Sequence, residues 1–205
     1  MKAAELTIER TGPRPDFADG LPASRRRWTD SALQALPRDG RKYELMNGEI
    51  TTMSPAGFNH GDICLAIAAA LRAFARKNRL GKVVEGQTGF RLEHGVTRKT
   101  VLSPDASFVS AARLAAVESL DGFLVGAPDL AVEVLSLGDS LAQTRRKVAL
   151  YLRNGTRLAW IVDPVAKEVQ IYRPDGSVES KQLHETLSGG EVLPGFKLPV
   201  RAIFD

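Results

Sequence analysis

Cysteine is almost absent from the chain. Among the 205 residues the only cysteine is Cys64, and a single cysteine cannot form an internal disulfide bond. This excludes a small secreted scaffold held together by disulfides. Cys64 lies within the apolar run 63–67, where we expect it to behave as a small buried hydrophobic residue.

Long hydrophobic runs are missing as well. The longest apolar stretch, residues 63–74, is interrupted by Arg72 and is too short to span a bilayer. No apolar segment typical of a signal peptide precedes Gly12. We therefore expect a cytoplasmic protein without a membrane partner.

The familiar motifs for transition metals and nucleotide phosphates are also absent. The chain contains no HExxH, CxxC, GxxxxGK[ST] or GxGxxG pattern, so neither a zinc site nor a phosphate-binding loop is predicted. The net charge is only +4. Such an excess is compatible with a phosphate-bearing partner but is weak support for one.

The composition predicts one globular domain preceded by an arm. Hydrophobic residues make up 43% of the chain and charged residues 25%, which is ordinary for a domain that buries its own core. Residues 1–27 are rich in proline and glycine and end in three arginines, so we interpret them as a partly irregular N-terminal arm. Residues 28–205 form the predicted domain.

Hydrophobic periodicity predicts mixed strands and helices in this domain. The Asn-Gly pair at 47–48 predicts a β-hairpin, and apolar residues at helical spacing predict a long helix over 60–78. Further strands are predicted over 83–84, 88–92, 105–109, 129–135, 157–162 and 167–172, and further helices over 29–36, 111–119 and 140–153. The order strand, helix, strand over 129–162 predicts two parallel neighbours joined by a right-handed crossover.

Glu133 is the most informative residue of the sequence. It lies in the middle of the apolar strand 129–135, where a carboxylate is costly to bury unless a cation or hydrogen-bond donors meet it. Strand alternation places Glu133 on the same face as Ala131. We therefore expect a positively charged group on that face.

Asp105 is a second candidate acid. It stands at the start of another strand that runs into apolar residues, and two carboxylates on adjacent strands repel one another unless a cation lies between them. Oxygen ligands of this kind suit Mg²⁺, with Mn²⁺ as a substitute. Asp105 and Glu133 are therefore candidate metal ligands.

Lys147 is the candidate cation. It lies on the predicted crossover helix, at the edge of a packed face that includes Leu141, Val148 and Leu152, and Tyr151 shares its flank. The flexible stem of Lys147 could bring its ammonium group to the carboxylates. Two acids and a lysine around a divalent ion are what phosphodiester hydrolysis requires. Spacing alone leaves open a purely structural Glu133–Lys147 pair.

Several segments also occur in a characteristic order along roughly two thirds of the chain. They are residues 43–49, Ser54-Pro55 with His60, residues 104–109, residues 126–136, Lys147 with Tyr151, and residues 160–164. In this order and spacing the chain resembles the Uma-two family, described as putative restriction endonucleases, within the PD-(D/E)XK nuclease superfamily.

The resemblance implies a fold and a set of site residues. The fold would be an α/β (α+β) restriction-endonuclease-like core, with a mixed central β-sheet flanked by helices. Asp105 and Glu133 would bind the metal, and Lys147 would replace the lysine normally found two residues after the second acid, where this chain has Leu135. Glu49 would be a further acid near the site.

Two other residues are candidates with competing interpretations. His60, at the start of the long helix, is either a general base or substrate contact, or a residue that hydrogen-bonds locally and fixes the preceding loop. Gln87 either points at the site or is an exposed strand residue.

These observations favour a metal-dependent endonuclease that hydrolyses phosphodiester bonds in DNA with Mg²⁺. One alternative is a binding module that holds nucleic acid or protein without cutting, which fits if Lys147 cannot reach the acids. Another is a self-associating protein with a structural Glu133–Lys147 pair. A homodimer would be the simplest way to cut both strands. The sequence leaves open DNA or RNA, strandedness and any recognition sequence.

Overall fold

The computed structural model describes residues 28–37, 41–96, 98–136 and 138–205; the predicted arm over residues 1–27 lies outside the described residues. The strands, in chain order, are β1 (Lys42–Met46), β2 (Glu49–Met53), β3 (Gly81–Glu85), β4 (Phe90–Leu92), β5 (Thr100–Leu102), β6 (Ala106–Ser110), β7 (Leu124–Val125), β8 (Leu130–Val134), β9 (Leu158–Asp163), β10 (Glu168–Tyr172), β11 (Val178–Lys181), β12 (Thr186–Ser188) and β13 (Lys197–Pro199). The helices are α1 (Asp30–Gln34), α2 (Phe58–Lys77), α3 (Ala111–Ala115), α4 (Leu141–Arg153) and a final 3₁₀ helix (Val200–Ile203).

The largest sheet has six strands in the order β11-β10-β9-β8-β6-β3. Strands β8 and β9 are parallel, and α4 connects them. This confirms the predicted strand, helix, strand unit, since parallel neighbours need a crossover connection. The other pairs in this sheet are antiparallel. The mixed sheet flanked by helices agrees with the predicted fold class.

A second sheet has five strands in the order β2-β1-β5-β4-β7. Its first two strands form the predicted hairpin, whose turn residues Asn47 and Gly48 have φ angles of 51° and 82°. Asn and Gly tolerate this left-handed conformation, so the pair closes a two-residue turn. The predicted strands near 83–84 and 88–92 both exist, but β3 joins the six-stranded sheet and β4 joins this one.

Helix α2 covers one face of the six-stranded sheet. Its buried residues recur at helical spacing and are Ile63, Ile67, Leu71 and Ala75. The strands meet them with alternate apolar residues, which in β8 are Leu130, Val132 and Val134. Trp160 of β9 is fully buried in this cluster and stacks on Phe196, with ring centroids 6.3 Å apart. None of the helices in the described part of the chain is long and apolar enough to cross a membrane.

Helix α4 covers the opposite face. Along each strand, every second residue faces α2 and the residues between them face α4. Val148 and Tyr151 of α4 pack against this second set, which includes Ala131 and Ile161. The buried residues of α4 are Thr144, Val148 and Tyr151, and Leu141 and Leu152 of the predicted packed face are partly buried and pack against the same cluster. Because Glu133 is two residues after Ala131, strand alternation turns it toward α4.

The helix predicted over 111–119 is shorter than expected. Helix α3 ends at Ala115, and none of its residues is buried. Short helices depend on packing of an apolar face for their stability, and this segment has little such packing to extend it.

Replacing Trp160 tests the core between the sheet and α2. Trp160→Ala removes a fully buried ring and should lower the free energy of unfolding by about 3–5 kcal/mol, measured by urea denaturation. Val165→Ala, at a side chain that is 84% exposed, is the control and should change stability by less than about 0.5 kcal/mol. Equal effects of the two substitutions would contradict this core.

Candidate metal-binding active site

The strand register brings the two predicted acids together. Ala106 lies opposite Val132 in the antiparallel pair of β6 and β8. Asp105 directly precedes β6 and Glu133 directly follows Val132, so continuation of this register places the two acids opposite each other at the end of the pairing. Side chains at such a position have Cβ atoms roughly 4.5–5.5 Å apart.

Glu133 is buried and both of its carboxylate oxygens are hydrogen-bonded. Lys147 Nζ lies 2.9 Å from Oε2, and the Tyr151 hydroxyl donates to Oε1 at 2.7 Å. Burial raises the pKa of Glu133 above its ordinary value, although the charge of Lys147 opposes the shift. The cation expected on this face of β8 is therefore present, and it comes from α4 as predicted.

Lys147 holds a second carboxylate that the sequence did not reveal. Its Nζ lies 3.2 Å from Glu44 Oε1, an oxygen that also accepts a hydrogen bond from the Ser103 backbone N–H at 2.8 Å. Burial acts to lower the pKa of Lys147, but Glu133 and Glu44 outweigh it and raise the pKa above its ordinary value. Lys147 is therefore a protonated hydrogen-bond donor at neutral pH.

Asp105 is held from three sides. Lys42 Nζ lies 3.2 Å from Oδ1, the Val134 backbone N–H donates to Oδ2 at 2.9 Å, and His60 Nε2 lies 3.4 Å from Oδ2. Burial acts to raise the pKa of Asp105, but the hydrogen bond from His60 and the charge of Lys42 outweigh it and hold the pKa well below its usual range. Asp105 is therefore ionised at neutral pH.

Strand β1 supplies both residues that sequence reasoning missed. Lys42 and Glu44 are two positions apart, so strand alternation puts them on one face. Glu44 is only 3% exposed. A Glu flanked by apolar residues on a strand, with a Lys two positions earlier, is a signal similar to that of Glu133, but the hairpin pattern and the resemblance over residues 43–49 do not single it out.

The His60 ring contacts Asp105, just before β6, and Val134, at the end of β8. It therefore connects these two neighbouring strands and does not serve to fix the loop before α2. Besides Asp105, its Nε2 contacts the Val134 carbonyl oxygen at 3.0 Å, and its Nδ1 lies 3.5 Å from Cys64 Sγ. Hydrogen bonds with Asp105 and Cys64 raise the pKa of His60 to about 10. A histidine that keeps its proton at neutral pH is poorly suited to act as a general base.

Cys64 matches the expected small buried hydrophobic residue in part, since it packs against the core beneath α2. It is partly exposed and its sulfur contacts the His60 ring. Burial raises the pKa of the Cys64 thiol, although the hydrogen bond with His60 opposes the shift.

The two remaining candidates lie away from the acids. Glu49 is exposed and lies opposite Met46 in the hairpin. Met46 is four residues after Lys42, so Glu49 lies about 13 Å along the strand direction from Lys42 at the usual rise per residue. Gln87 is exposed in the segment after β3. With Lys42 and other residues it lines a surface groove of about 410 Å³, so it borders the site without contacting the acids.

A hard divalent cation fits this donor set. An ionised carboxylate offers about four lone-pair positions, and the contacts above use two at Glu133 and three at Asp105. Both groups therefore keep acceptor capacity, and carboxylate oxygens are the ligands that Mg²⁺ prefers. A metal ion at Asp105 Oδ1 would compete with the ammonium group of Lys42.

Removing Lys147 leaves two buried carboxylates without their cation. In EDTA at neutral pH, Lys147→Met should lower the free energy of unfolding by about 3–5 kcal/mol, measured by urea denaturation. The loss should shrink as the pH falls, because the variant raises the folded-state pKa of Glu133 further and protonated Glu133 needs no cation. The double variant Glu133→Gln/Lys147→Met should lose less than Lys147→Met alone; a larger loss would contradict the pairing.

The contribution of His60 to stability should depend on pH. Its folded-state pKa is raised from 6.5 to about 10, so the stabilisation is fully present below pH 6.5 and is lost as the pH rises through 10. Urea unfolding of wild type and His60→Gln in EDTA should therefore differ most near the lower value and least above the higher one. A difference that does not change with pH would contradict the His60–Asp105 contact.

Comparisons with known proteins agree with this fold. The sequence profile of the family Uma2, described as "Putative restriction endonuclease", matches residues 30–201. A solved structure described as a putative nuclease belonging to DUF820, from Anabaena variabilis ATCC 29413, superimposes with a TM-score of 0.73 at 19% sequence identity, covering 86% of this chain and 97% of that one. At this identity the likeness shows the fold alone. A comparison with curated protein sequences finds no match. Because the family profile spans most of the chain, the protein belongs to the Uma2 family.

Proposed function

We propose that the protein is a metal-dependent endonuclease that hydrolyses phosphodiester bonds in DNA. The observation that carries this proposal is the convergence of Asp105, Glu133 and Lys147, which come from two adjacent strands and the helix that follows the second one. Membership of the Uma2 family supports the reaction class. The choice of DNA rests on the family description and, weakly, on the net charge of +4.

Asp105 and Glu133 would hold Mg²⁺, with Mn²⁺ as a substitute. When bound, such an ion would polarise a phosphoryl oxygen and lower the pKa of a coordinated water. The protein fixes both ligands in advance: Tyr151 and Lys147 orient Glu133, while the Val134 N–H and His60 orient Asp105. Ligands held by such neighbours keep their geometry when substrate arrives.

Lys147 supplies a fixed positive charge beside the metal ligands. Because its pKa is raised, it donates hydrogen bonds and does not accept a proton. In phosphodiester cleavage a cation at this place offsets the negative charge that develops on the phosphoryl oxygens. A non-cleaving binding module fits a chain in which Lys147 cannot reach the acids, whereas here its Nζ lies 2.9 Å from Glu133; the cleavage assay below separates the enzyme from a purely structural Glu133–Lys147 pair.

A cleavage assay with matched acid-to-amide variants tests this function. With plasmid DNA and Mg²⁺ or Mn²⁺, the wild type should cleave and EDTA should abolish cleavage. Asp105→Asn, Glu133→Gln and Lys147→Met should each reduce the rate at least about 100-fold, because each removes a metal ligand or a charge-stabilising donor.

Glu49→Gln is the control, since Glu49 lies away from the acids, and it should cleave at the wild-type rate. Circular dichroism of each variant separates lost activity from lost folding. The proposal is contradicted if wild type leaves the DNA intact with both metals, or if the folded variants cleave as fast as wild type.

A further inference from the structure

A second group of potential metal ligands lies at the start of α2. His60 and Cys64 are four residues apart, so they lie on the same side of the helix one turn from each other. Asp105 approaches them from the start of β6. One ligand atom from each of these three residues lies within 4.8 Å of the other two.

The distances are close to those of a tetrahedral metal site. His60 Nε2 lies 3.4 Å from Asp105 Oδ2 and 3.9 Å from Cys64 Sγ. Ligands on a tetrahedron with zinc-like bonds of roughly 2.0–2.3 Å are about 3.3–3.7 Å apart. The His60–Asp105 distance already lies in this range, and the His60–Cys64 distance exceeds it by a few tenths of an ångström. The ligand atoms of Cys64 and Asp105 lie within 4.8 Å of each other, so a bound ion would draw these two residues together.

The ligand chemistry differs from that of the Asp105–Glu133 pair. Thiolate and imidazole are softer ligands that select ions such as Zn²⁺ or Co²⁺, whereas Mg²⁺ prefers oxygen. We propose that His60, Cys64 and Asp105 bind a soft divalent transition-metal ion at a second site that shares Asp105 with the proposed Mg²⁺ site. Binding would displace one proton from the His60 ring and one from the Cys64 thiol, and Nε2 would exchange its contact with the Val134 carbonyl oxygen for the ion. The predicted absence of a zinc site is thereby revised, because motif spacing cannot reveal a ligand that lies 41 residues after Cys64.

The site has room for exchange with solvent. The side chains of His60 and Asp105 are 16% and 14% exposed, and Cys64 is partly exposed. Three protein ligands leave a fourth position for water, as in zinc sites that keep an open coordination position. An approaching ion would therefore meet side chains that solvent already reaches.

Sharing of Asp105 connects the two sites. A soft ion at His60 and Cys64 would use Oδ2 of Asp105, whereas the proposed Mg²⁺ site would use Oδ1 of the same carboxylate, so binding of one ion changes the charge and orientation of the group that the other needs. This prediction rests on the proposed nuclease function: Zn²⁺ should lower the rate of Mg²⁺-dependent cleavage, because the two ions compete for Asp105.

Cobalt spectroscopy on the metal-free full-length protein tests the binding directly, without an activity readout. Because the chain has one cysteine, a thiolate-to-cobalt charge-transfer band in the near ultraviolet can come only from Cys64. The wild type should develop this band, saturate at one equivalent of Co²⁺, and lose it when Zn²⁺ is added. Cys64→Ser should abolish the band, and His60→Ala should weaken Co²⁺ binding at least about 10-fold.

The remaining two histidines are the matched controls. His94→Ala and His184→Ala should bind Co²⁺ as wild type does. No thiolate band at saturating Co²⁺, or equal affinity of wild type and folded His60→Ala, would overturn the proposal. Should His60→Ala fail to fold, the wild type alone gives the answer: Zn²⁺ but not Mg²⁺ should slow the reaction of Cys64 with a thiol reagent, and an unchanged rate overturns the site.

Glu133→Gln separates this inference from the proposed function. It removes an Mg²⁺ ligand and none of the three soft-metal ligands, so it should lose cleavage and keep the cobalt band. An intact cobalt band in a wild-type protein that cleaves no DNA supports the second site and contradicts only the nuclease. Cleavage of DNA by a wild-type protein that shows no cobalt band would support the nuclease and contradict the second site.

Discussion

The buried carboxylate of Glu133 is the constraint on which the rest of the site depends. A charge in the middle of an apolar strand is unfavourable unless other groups compensate it, and here Lys147 and Tyr151 of α4 do so. The crossover helix must therefore pack with one particular face against β8. That packing also carries Lys147 to Glu44 of the second sheet, so the ion pair joins α4 and both sheets.

Around this centre, acids and cations from separate parts of the chain alternate. Lys147 lies between Glu133 and Glu44, and Lys42 and His60 flank Asp105. In this arrangement each carboxylate is ionised or hydrogen-bonded without a metal ion, because a neighbouring cation contacts it. A divalent cation at this place would have to compete with the resident cations, notably Lys42, so its affinity would depend on the whole cluster.

The fold was largely predictable because its main elements have strong local patterns. The hairpin around Asn47, the long helix α2 and the β8–α4–β9 unit follow from turn chemistry and periodicity. The contact between Glu133 and Lys147 was predictable for a related reason: a carboxylate in an apolar strand requires a partner, and the next helix is the nearest source.

The other contacts of the candidate site join residues that are far apart in the sequence, so no local pattern encodes them. Glu44 and Lys42 belong to a different sheet, and only the packing of the two sheets brings them to Lys147 and Asp105. Glu49, which the family resemblance implied as a further acid, lies on the neighbouring strand at the turn end of the hairpin, opposite Met46. The contacts of His60 with Asp105 and Val134 join residues 45 and 74 positions apart, so they too appear only in the folded chain.

The central claim is that Asp105 and Glu133 share one divalent cation. Anomalous diffraction from crystals soaked in Mn²⁺ tests it most directly. The account predicts a manganese peak within coordination distance of both carboxylates in the wild type, and none there in Glu133→Gln. A wild-type map without such a peak, at saturating Mn²⁺ and with both side chains ordered, would contradict it.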